Sequence, residues 1–220
     1  MVSARRCDSQ QWTDFFESDA PAKYPFDPIK QDGYAGEQIS EIAKGNDIKD
    51  IKEFYHLYFP WGCYPTEIGT ETHDLFGQIY TLARKILGWI EAGLPEHIRG
   101  ALKTPLQNTI CLERTAFRIL YYRALSAHET PGAIRAAAHE DSNMMTVLPA
   151  ATGPGLQAQD VHGTWHDVNA DPETLVINAG GMLAEITNGY YTSSIHRVLN
   201  PEGDAARKAR LSMPLFLHPY

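Results

Sequence analysis

The stretch IRAAAHEDSNMMTVL, residues 134–148, decides the fold because two short apolar runs flank a histidine and two acidic residues. The runs 134–139 and 144–148 have the length and composition of β-strands. Side chains two positions apart on a strand project to the same face. His139 and Asp141 are therefore expected to point together into the interior of a β structure, which would be half of a metal site.

Similar short apolar runs continue along the C-terminal half of the chain. In addition to the two above, the pattern predicts strands over residues 115–122, 156–161, 164–168, 174–177, 182–186, 194–199 and 210–217. Turn residues separate them, as in Gly153-Pro154-Gly155 and Asn188-Gly189. Eight or nine short strands without an intervening helix favour a sandwich or a double-sheet barrel.

The N-terminal part has a different character. From Leu75 to Ile90 apolar residues recur at spacings of three or four, which predicts a helix over 71–92 that would brace the outside of the barrel. Residues 21–70 are rich in Pro, Gly, Tyr and charge, and predict ordered loop with short helices. We expect a single domain over residues 1–220, mainly β with flanking α, comprising a helical and loop region (1–100) and a β core (101–220).

Composition narrows the function classes. The 220 residues carry 19 Lys+Arg against 27 Asp+Glu, a net charge of −8, and this field disfavours nucleic acid and anionic membranes as partners. Three separated cysteines, at positions 7, 63 and 111, argue against a disulfide framework and favour a reducing, cytoplasmic compartment. No secretory signal or membrane span is apparent. The sequence leaves the oligomeric state open and is compatible with a monomer.

A second histidine could complete the metal site. His196 lies in the predicted strand 194–199, 57 residues after His139. Two histidines and one carboxylate form the arrangement that leaves open positions on Fe(II). An isolated His-x-Asp is also typical of an ordinary surface pair, so the pattern alone does not establish a metal centre.

A candidate anion site opens the last predicted strand. Arg210 and Ser212 are two residues apart and share a face. An arginine fork donates two parallel hydrogen bonds to a carboxylate, and a serine hydroxyl adds another donor. The alternative is a solvated charge run over 207–210. That alternative fits Arg207 and Lys208 better than Arg210, which begins an apolar segment.

Six motifs in this order resemble the isopenicillin N synthase-like branch of the Fe(II)- and 2-oxoglutarate-dependent oxygenases. They are HED (139–141), GLQ (155–157), NAGGML (178–183), TNG (187–189), SIHRV (194–198) and RLS (210–212). The segment DIKEFYH (50–56) is similar to the region that precedes the barrel in that branch. The resemblance covers roughly residues 12–218.

This resemblance implies a double-stranded β-helix, or jelly roll. It implies that His139, Asp141 and His196 bind Fe(II), and that Arg210 and Ser212 hold the distal carboxylate of 2-oxoglutarate. Tyr122 matches a tyrosine that often contacts this cosubstrate, although packing within a strand explains it equally well. With O2, such a protein would hydroxylate, desaturate or cyclise a small molecule, for example an amino acid or peptide-derived metabolite, and release succinate and CO2.

Two alternatives to this function remain open. The chain could be an oxidase of the isopenicillin N synthase type that does not use 2-oxoglutarate, or a catalytically silent metal-binding barrel.

The sequence departs from the family pattern in three places. Gly180-Gly181 stands where relatives commonly have Gly-Asp, which puts the local turn in doubt. The usual N-terminal and C-terminal segments are missing, which indicates either a fragment truncated at both ends or a natural short form with a more open site.

Overall fold

The computed structural model describes residues 2–39 and 48–220, with side chains from residue 9 onward. Part of the predicted loop region (40–47) and the side chain of Cys7 lie outside the described residues. The described residues form α-helices α1 (Val2–Phe16), α2 (Glu71–Ala92), α3 (Glu96–Arg99) and α4 (Gly181–Ile186). The strands are β1 (Gly33–Ala35), β2 (Glu53–Leu57), β3 (Ala116–Tyr122), β4 (Ala136–His139), β5 (Met145–Pro149), β6 (Leu156–Gln159), β7 (Trp165–Asp167), β8 (Leu175–Ala179), β9 (His196–Val198), β10 (Arg210–Ser212) and β11 (Leu215–Leu217).

These strands form two sheets. The larger has the order β1-β2-β3-β11-β5-β8, with β10 also paired to β3, and the smaller has the order β4-β9-β6-β7. Every strand pair is antiparallel. Strands distant in sequence therefore become neighbours, as β4 and β9 do, and this brings residues near 139 and 196 together.

A cavity of about 1410 Å³ lies between the two sheets. Alternate residues of β3, namely Ala116, Arg118, Leu120 and Tyr122, line it on one side, as expected for a strand whose side chains alternate between faces. His196 and Val198 of β9 line it on the other side. The interior between the sheets is thus where functional side chains converge.

Helix α2 packs on the outer face of the larger sheet, which confirms the predicted bracing helix. Its residues Ile79 and Leu87 belong to one buried cluster with Phe117 of β3 and Leu215 of β11. The indole N–H of Trp12 donates to the hydroxyl of Thr72 at 2.9 Å and fastens α1 to α2. Packing of an amphipathic helix face, rather than helix propensity, supplies most of its stability.

The structure corrects three predictions of secondary structure. The segment 210–217, predicted as one strand, forms two strands, β10 and β11. The segment 182–186 is not a strand but part of α4. A short apolar run cannot be assigned by periodicity alone, and Met, Leu, Ala and Glu are strong helix formers. Residues 21–70 contain strands β1 and β2 in addition to loop, because these strands extend the edge of the large sheet through long-range pairing with β3.

None of the described helices has the length and apolarity needed to cross a bilayer.

Replacement of a buried α2 residue tests the bracing role. Leu87→Ala removes a fully buried side chain, 0% exposed, and we expect it to lower the free energy of unfolding by about 2–5 kcal/mol. Urea unfolding followed by circular dichroism measures the change. Trp89→Ala on the same helix, where the side chain is 66% exposed, is the control and should change stability by less than about 1 kcal/mol. Equal effects would contradict the packing described here.

Candidate active site

The two candidate histidines face each other across neighbouring strands. His139 at the end of β4 and His196 at the start of β9 are direct cross-strand partners, and their ring centroids lie 4.4 Å apart. The register shifts between Ala136 and His139. Such bulges re-aim a side chain, and here the irregular pairing accompanies the turn of His139 toward the cavity.

Backbone carbonyls fix the orientation of both imidazoles. Nδ1 of His139 lies 2.7 Å from the carbonyl oxygen of Ala137, and Nδ1 of His196 lies 3.0 Å from that of Ser194. Because a carbonyl only accepts, each Nδ1 carries the proton, and each Nε2 of the neutral ring keeps its lone pair. Burial and the nearby His196 ring lower the pKa of His139, which favours the neutral form that a metal requires.

Asp141 completes the group, and one of its oxygens is held in place. Its Oδ2 accepts a hydrogen bond from the Thr146 hydroxyl at 2.6 Å and another from the Asn178 amide at 2.7 Å. Its Oδ1 lies 4.0 Å from Nε2 of His139 and 3.9 Å from Nε2 of His196. The carboxylate is therefore anchored through one oxygen and presents the other to the two histidines.

The turn after β8 holds the loop that carries Asp141. The N–H of Gly181 donates to the carbonyl of Asp141 at 2.8 Å. A Cβ at Gly180 would lie 2.1 Å from the carbonyl oxygen of Asn143, so only glycine permits this approach. The Gly180-Gly181 pair, which departs from the family pattern, thus forms a tight turn here and starts α4.

The segment 50–56 supports the other side of the site. Asp50 accepts a hydrogen bond from the backbone N–H of Ala137 at 2.9 Å and pairs with Lys52 at 2.8 Å. Ala137 is the residue whose carbonyl orients His139. The buried Lys52–Asp50 pair therefore fixes the strand that positions this histidine.

This donor set fits a metal ion. Ligand atoms of His139, Asp141 and His196 all lie within 4.8 Å of one another. Two neutral imidazole nitrogens with one carboxylate oxygen is the facial triad of non-haem Fe(II) sites, which leaves coordination positions open. The hydrogen bonds that hold these side chains are of the kind that orients metal ligands.

Arg210 lies deep in the same cavity. It opens β10 opposite Tyr122 of β3 and is only 2% exposed. Its Nε donates to the carbonyl of Gly153 at 3.0 Å, whereas the buried Nη1 has no hydrogen-bond partner among the described residues. Burial lowers the pKa of Arg210, and Tyr122 partly opposes this shift. A buried guanidinium with an unpaired N–H is suited to a ligand carboxylate.

Tyr122 and Arg135 lie beside Arg210. The guanidinium carbon of Arg210 is 5.0 Å from the centre of the Tyr122 ring, and that of Arg135 is 6.0 Å from it. Arg135 is fully buried and donates to the carbonyl of Lys208 at 3.0 Å. Burial, with the charge of Arg210, lowers the pKa of Arg135 to about 10. Two buried cations next to one ring make this end of the cavity strongly positive. Ser212 follows on the same strand and also lines the cavity.

The sequence predicted six site residues, and all of them line this one cavity. It missed Thr146, Asn178 and Arg135. Asn178 stood inside a quoted motif, but the pattern gave no reason to pair it with Asp141. Arg135 directly precedes the alanine run before His139, and a charged residue at the start of a buried strand was the available clue.

Residues 114–219 match the sequence profile of the 2OG-Fe(II) oxygenase superfamily. A protein of known structure from Shewanella oneidensis, described as an oxygenase, is 42% identical and superposes with a TM-score of 0.88, covering all of this chain and 79% of that one. The chain belongs to the 2OG-Fe(II) oxygenase superfamily, and its predicted jelly-roll fold is confirmed.

Curated relatives match over part of their length. Leucoanthocyanidin dioxygenase 1 of Oryza sativa subsp. indica is 28% identical over 214 residues, which is 89% of this chain and 54% of the rice protein. Isopenicillin N synthase of Flavobacterium sp. (strain SC 12,154) is 38% identical over 80 residues, 36% of this chain and 22% of the synthase. The chain thus spans about half the length of the rice enzyme.

The Thr146 hydroxyl offers a test of how the carboxylate is held. Thr146→Val keeps the side-chain shape but removes the hydrogen bond to Asp141 and the acceptor for Asn143. We expect Fe(II) affinity to fall by about 10- to 100-fold, measured by anaerobic titration. Thr146→Ser retains the hydroxyl and should stay close to the original affinity. Unchanged affinity in a folded Val variant would show that this hydrogen bond does not position Asp141.

Proposed function

We propose that this protein is a non-haem Fe(II)- and 2-oxoglutarate-dependent dioxygenase that oxidises a small molecule. The reaction would hydroxylate, desaturate or cyclise the substrate with release of succinate and CO2. The observation that carries this proposal is one cavity with a His-Asp-His donor group and a buried arginine whose Nη1 has no partner among the described residues. Family membership supports it.

The residues divide into two sets along the cavity. His139, Asp141 and His196 would bind Fe(II) through two imidazole Nε2 atoms and Oδ1 of the carboxylate, each already oriented by a hydrogen bond. Arg210 and Ser212 would bind the distal carboxylate of 2-oxoglutarate. Bound together, Fe(II) and 2-oxoglutarate would supply the activation of O2: one oxygen atom would enter the keto acid as it loses CO2 and becomes succinate, and the other would be available to oxidise the substrate.

Protein side chains would contribute orientation and exclusion of water. Tyr122 packs beneath Arg210 and limits the directions its guanidinium can take. Arg135 adds positive charge at the same end, which favours binding of a dianion. The apolar side chains in the cavity wall lower the local dielectric constant. This strengthens the interactions of Arg210 and Arg135 with the dianion.

The proposal also covers the branch of the superfamily, the substrate class, the cellular compartment and the extent of the domain. The ordered motifs and the identity to isopenicillin N synthase support placement in that branch of the superfamily. An amino acid or peptide-derived metabolite is the substrate class that this branch suggests. Free thiols at Cys63 and Cys111 suit a reducing, cytoplasmic compartment. We treat residues 1–220 as one oxygenase domain.

Turnover with 2-oxoglutarate tests the activity directly. Purified protein with Fe(II) in air should convert 2-oxoglutarate to succinate, slowly without substrate and faster with one. The His139→Ala and Asp141→Ala variants should lose this conversion together with most Fe(II) binding. Oxygen consumption without succinate would favour an oxidase that does not use 2-oxoglutarate. Stoichiometric iron binding without any oxygen consumption would favour a silent barrel.

Loss of Arg210 separates cosubstrate binding from metal binding. Arg210→Ala removes the buried guanidinium, so we expect the Kd for 2-oxoglutarate to rise by about 10- to 100-fold while Fe(II) affinity is kept. Calorimetric titration measures both constants. Arg207→Ala is the control, since that side chain is exposed and pairs with Asp204. An equal loss of iron in Arg210→Ala would refute the assigned roles.

A further inference from the structure

Lys52 is a further buried cation in the wall of the cavity. The residue is 7% exposed and lines the cavity. Its ammonium donates to Oδ2 of Asp50 at 2.8 Å, and among the described residues this is its one hydrogen bond. An ammonium has three N–H donors, so two of them remain for an acceptor that the described residues do not supply.

Strand pairing places Lys52 in one row with Tyr122 and Arg210. Tyr122 is the cross-strand partner of Arg210. On the other side of β3, Glu53 pairs with Tyr121, so the preceding residue, Lys52, lies beside Tyr122. Neighbouring strands are about 4.8 Å apart, which puts the backbones of Lys52 and Arg210 about 10 Å apart with Tyr122 between them. All three side chains of this row line the cavity.

Lys52 is the end of the row that lies next to the metal ligands. Its partner Asp50 accepts a hydrogen bond from the N–H of Ala137 at 2.9 Å, and the carbonyl of Ala137 orients His139. After burial and the His196 ring, the charge of Lys52 also contributes to the lowered pKa of His139, as expected for a nearby cation. One end of the row is therefore Arg210, and the other is an ammonium close to the proposed iron site.

The carboxylates of the cavity do not use the two remaining donors of Lys52. Both oxygens of Asp50 are engaged, one by Ala137 and one by Lys52 itself. Glu113, Glu140 and Asp141 also line the cavity, and the hydrogen bonds that hold them come from other side chains. A buried ammonium with unpaired N–H groups is costly, and an anionic ligand in the cavity would offset this cost.

We propose that Lys52 donates a hydrogen bond to the 1-carboxylate of 2-oxoglutarate, at the keto acid end of the molecule. This inference rests on the proposed function, since it assigns a further binding residue for the same cosubstrate. Arg210 would hold the distal carboxylate, so that the cosubstrate lies along the row over Tyr122. Because Asp50 offsets much of the charge of Lys52, the gain comes from a directed, charge-assisted hydrogen bond, and Asp50 fixes the direction of the ammonium.

Two keto acids test which end of the cosubstrate Lys52 contacts. 2-Oxoglutarate and 2-oxopentanoate share the keto acid end, but 2-oxopentanoate lacks the distal carboxylate. Each is titrated anaerobically into the Fe(II)-loaded protein, and binding is followed by the visible charge-transfer band of a keto acid chelated to iron. Lys52→Met should raise the Kd of both acids by about tenfold, whereas Arg210→Ala should raise only that of 2-oxoglutarate. Unchanged Kd values in folded Lys52→Met, or a change confined to 2-oxoglutarate, would refute the contact.

Asp50 provides the matched control, because a purely structural role of the pair predicts the same effect from either partner. Asp50→Asn removes the negative charge beside Lys52 and leaves the ammonium in place, so we expect the Kd of both acids to stay the same or fall. Equal rises in Asp50→Asn and Lys52→Met would show that the pair only supports β4, and would overturn the proposal.

A double variant keeps the test decisive if Lys52→Met does not fold. Lys52→Met with Asp50→Asn removes both charges, a change that buried pairs often tolerate. Compared with Asp50→Asn alone, it should show the rise of about tenfold for both acids, and equal Kd values would count against Lys52. If the unmodified protein binds Fe(II) but gives no band with either acid, the proposed function itself fails. A normal band that is insensitive to Lys52 overturns only the role of this residue.

Discussion

The hydrogen bonds from Thr146 and Asn178 to a single oxygen of Asp141 are the constraint on which the rest of the site depends. They come from β5 and β8 of the large sheet, whereas the two histidines come from β4 and β9 of the small one. The carboxylate therefore joins the two sheets at the point where the donors converge. The close approach of Gly180 to Asn143 and the Lys52–Asp50 pair behind Ala137 hold this junction from either side.

Charge is distributed unevenly in the molecule, and this explains how an acidic protein can take anionic ligands. The field of the whole chain repels anions, but Arg210 and Arg135 concentrate positive charge at the deep end of the cavity. A buried cation without a paired carboxylate is costly, and such a cost is tolerated where a ligand compensates it.

The sequence predicted the strands of the β core and the long helix because their periodicity is strong and local. The segment 182–186 was assigned wrongly, since a five-residue apolar run is equally compatible with a helix turn. Strand β2 was missed because its stability comes from pairing with β3 and not from its own pattern. The positions of His139, Asp141, His196 and Arg210 around one cavity could be anticipated from motif order.

The supporting groups could not be anticipated, for a physical reason. Contacts such as Asn178 to Asp141, or Arg118 to His56, join residues 37 and 62 positions apart and depend on strand register. One sequence carries no register for strands separated by long connections. The same limit applies to Arg135, which contacts the Tyr122 ring and the carbonyl of Lys208, 73 positions away.

One spectroscopic measurement tests the central claim most directly. Under anaerobic conditions, Fe(II) and 2-oxoglutarate are added to the purified protein, and the visible metal-to-ligand charge-transfer band of an iron chelated by a keto acid is recorded. The account predicts a band that saturates at one iron and one 2-oxoglutarate per chain and disappears in Asp141→Ala. A protein that binds iron but shows no such band at saturating 2-oxoglutarate would contradict it.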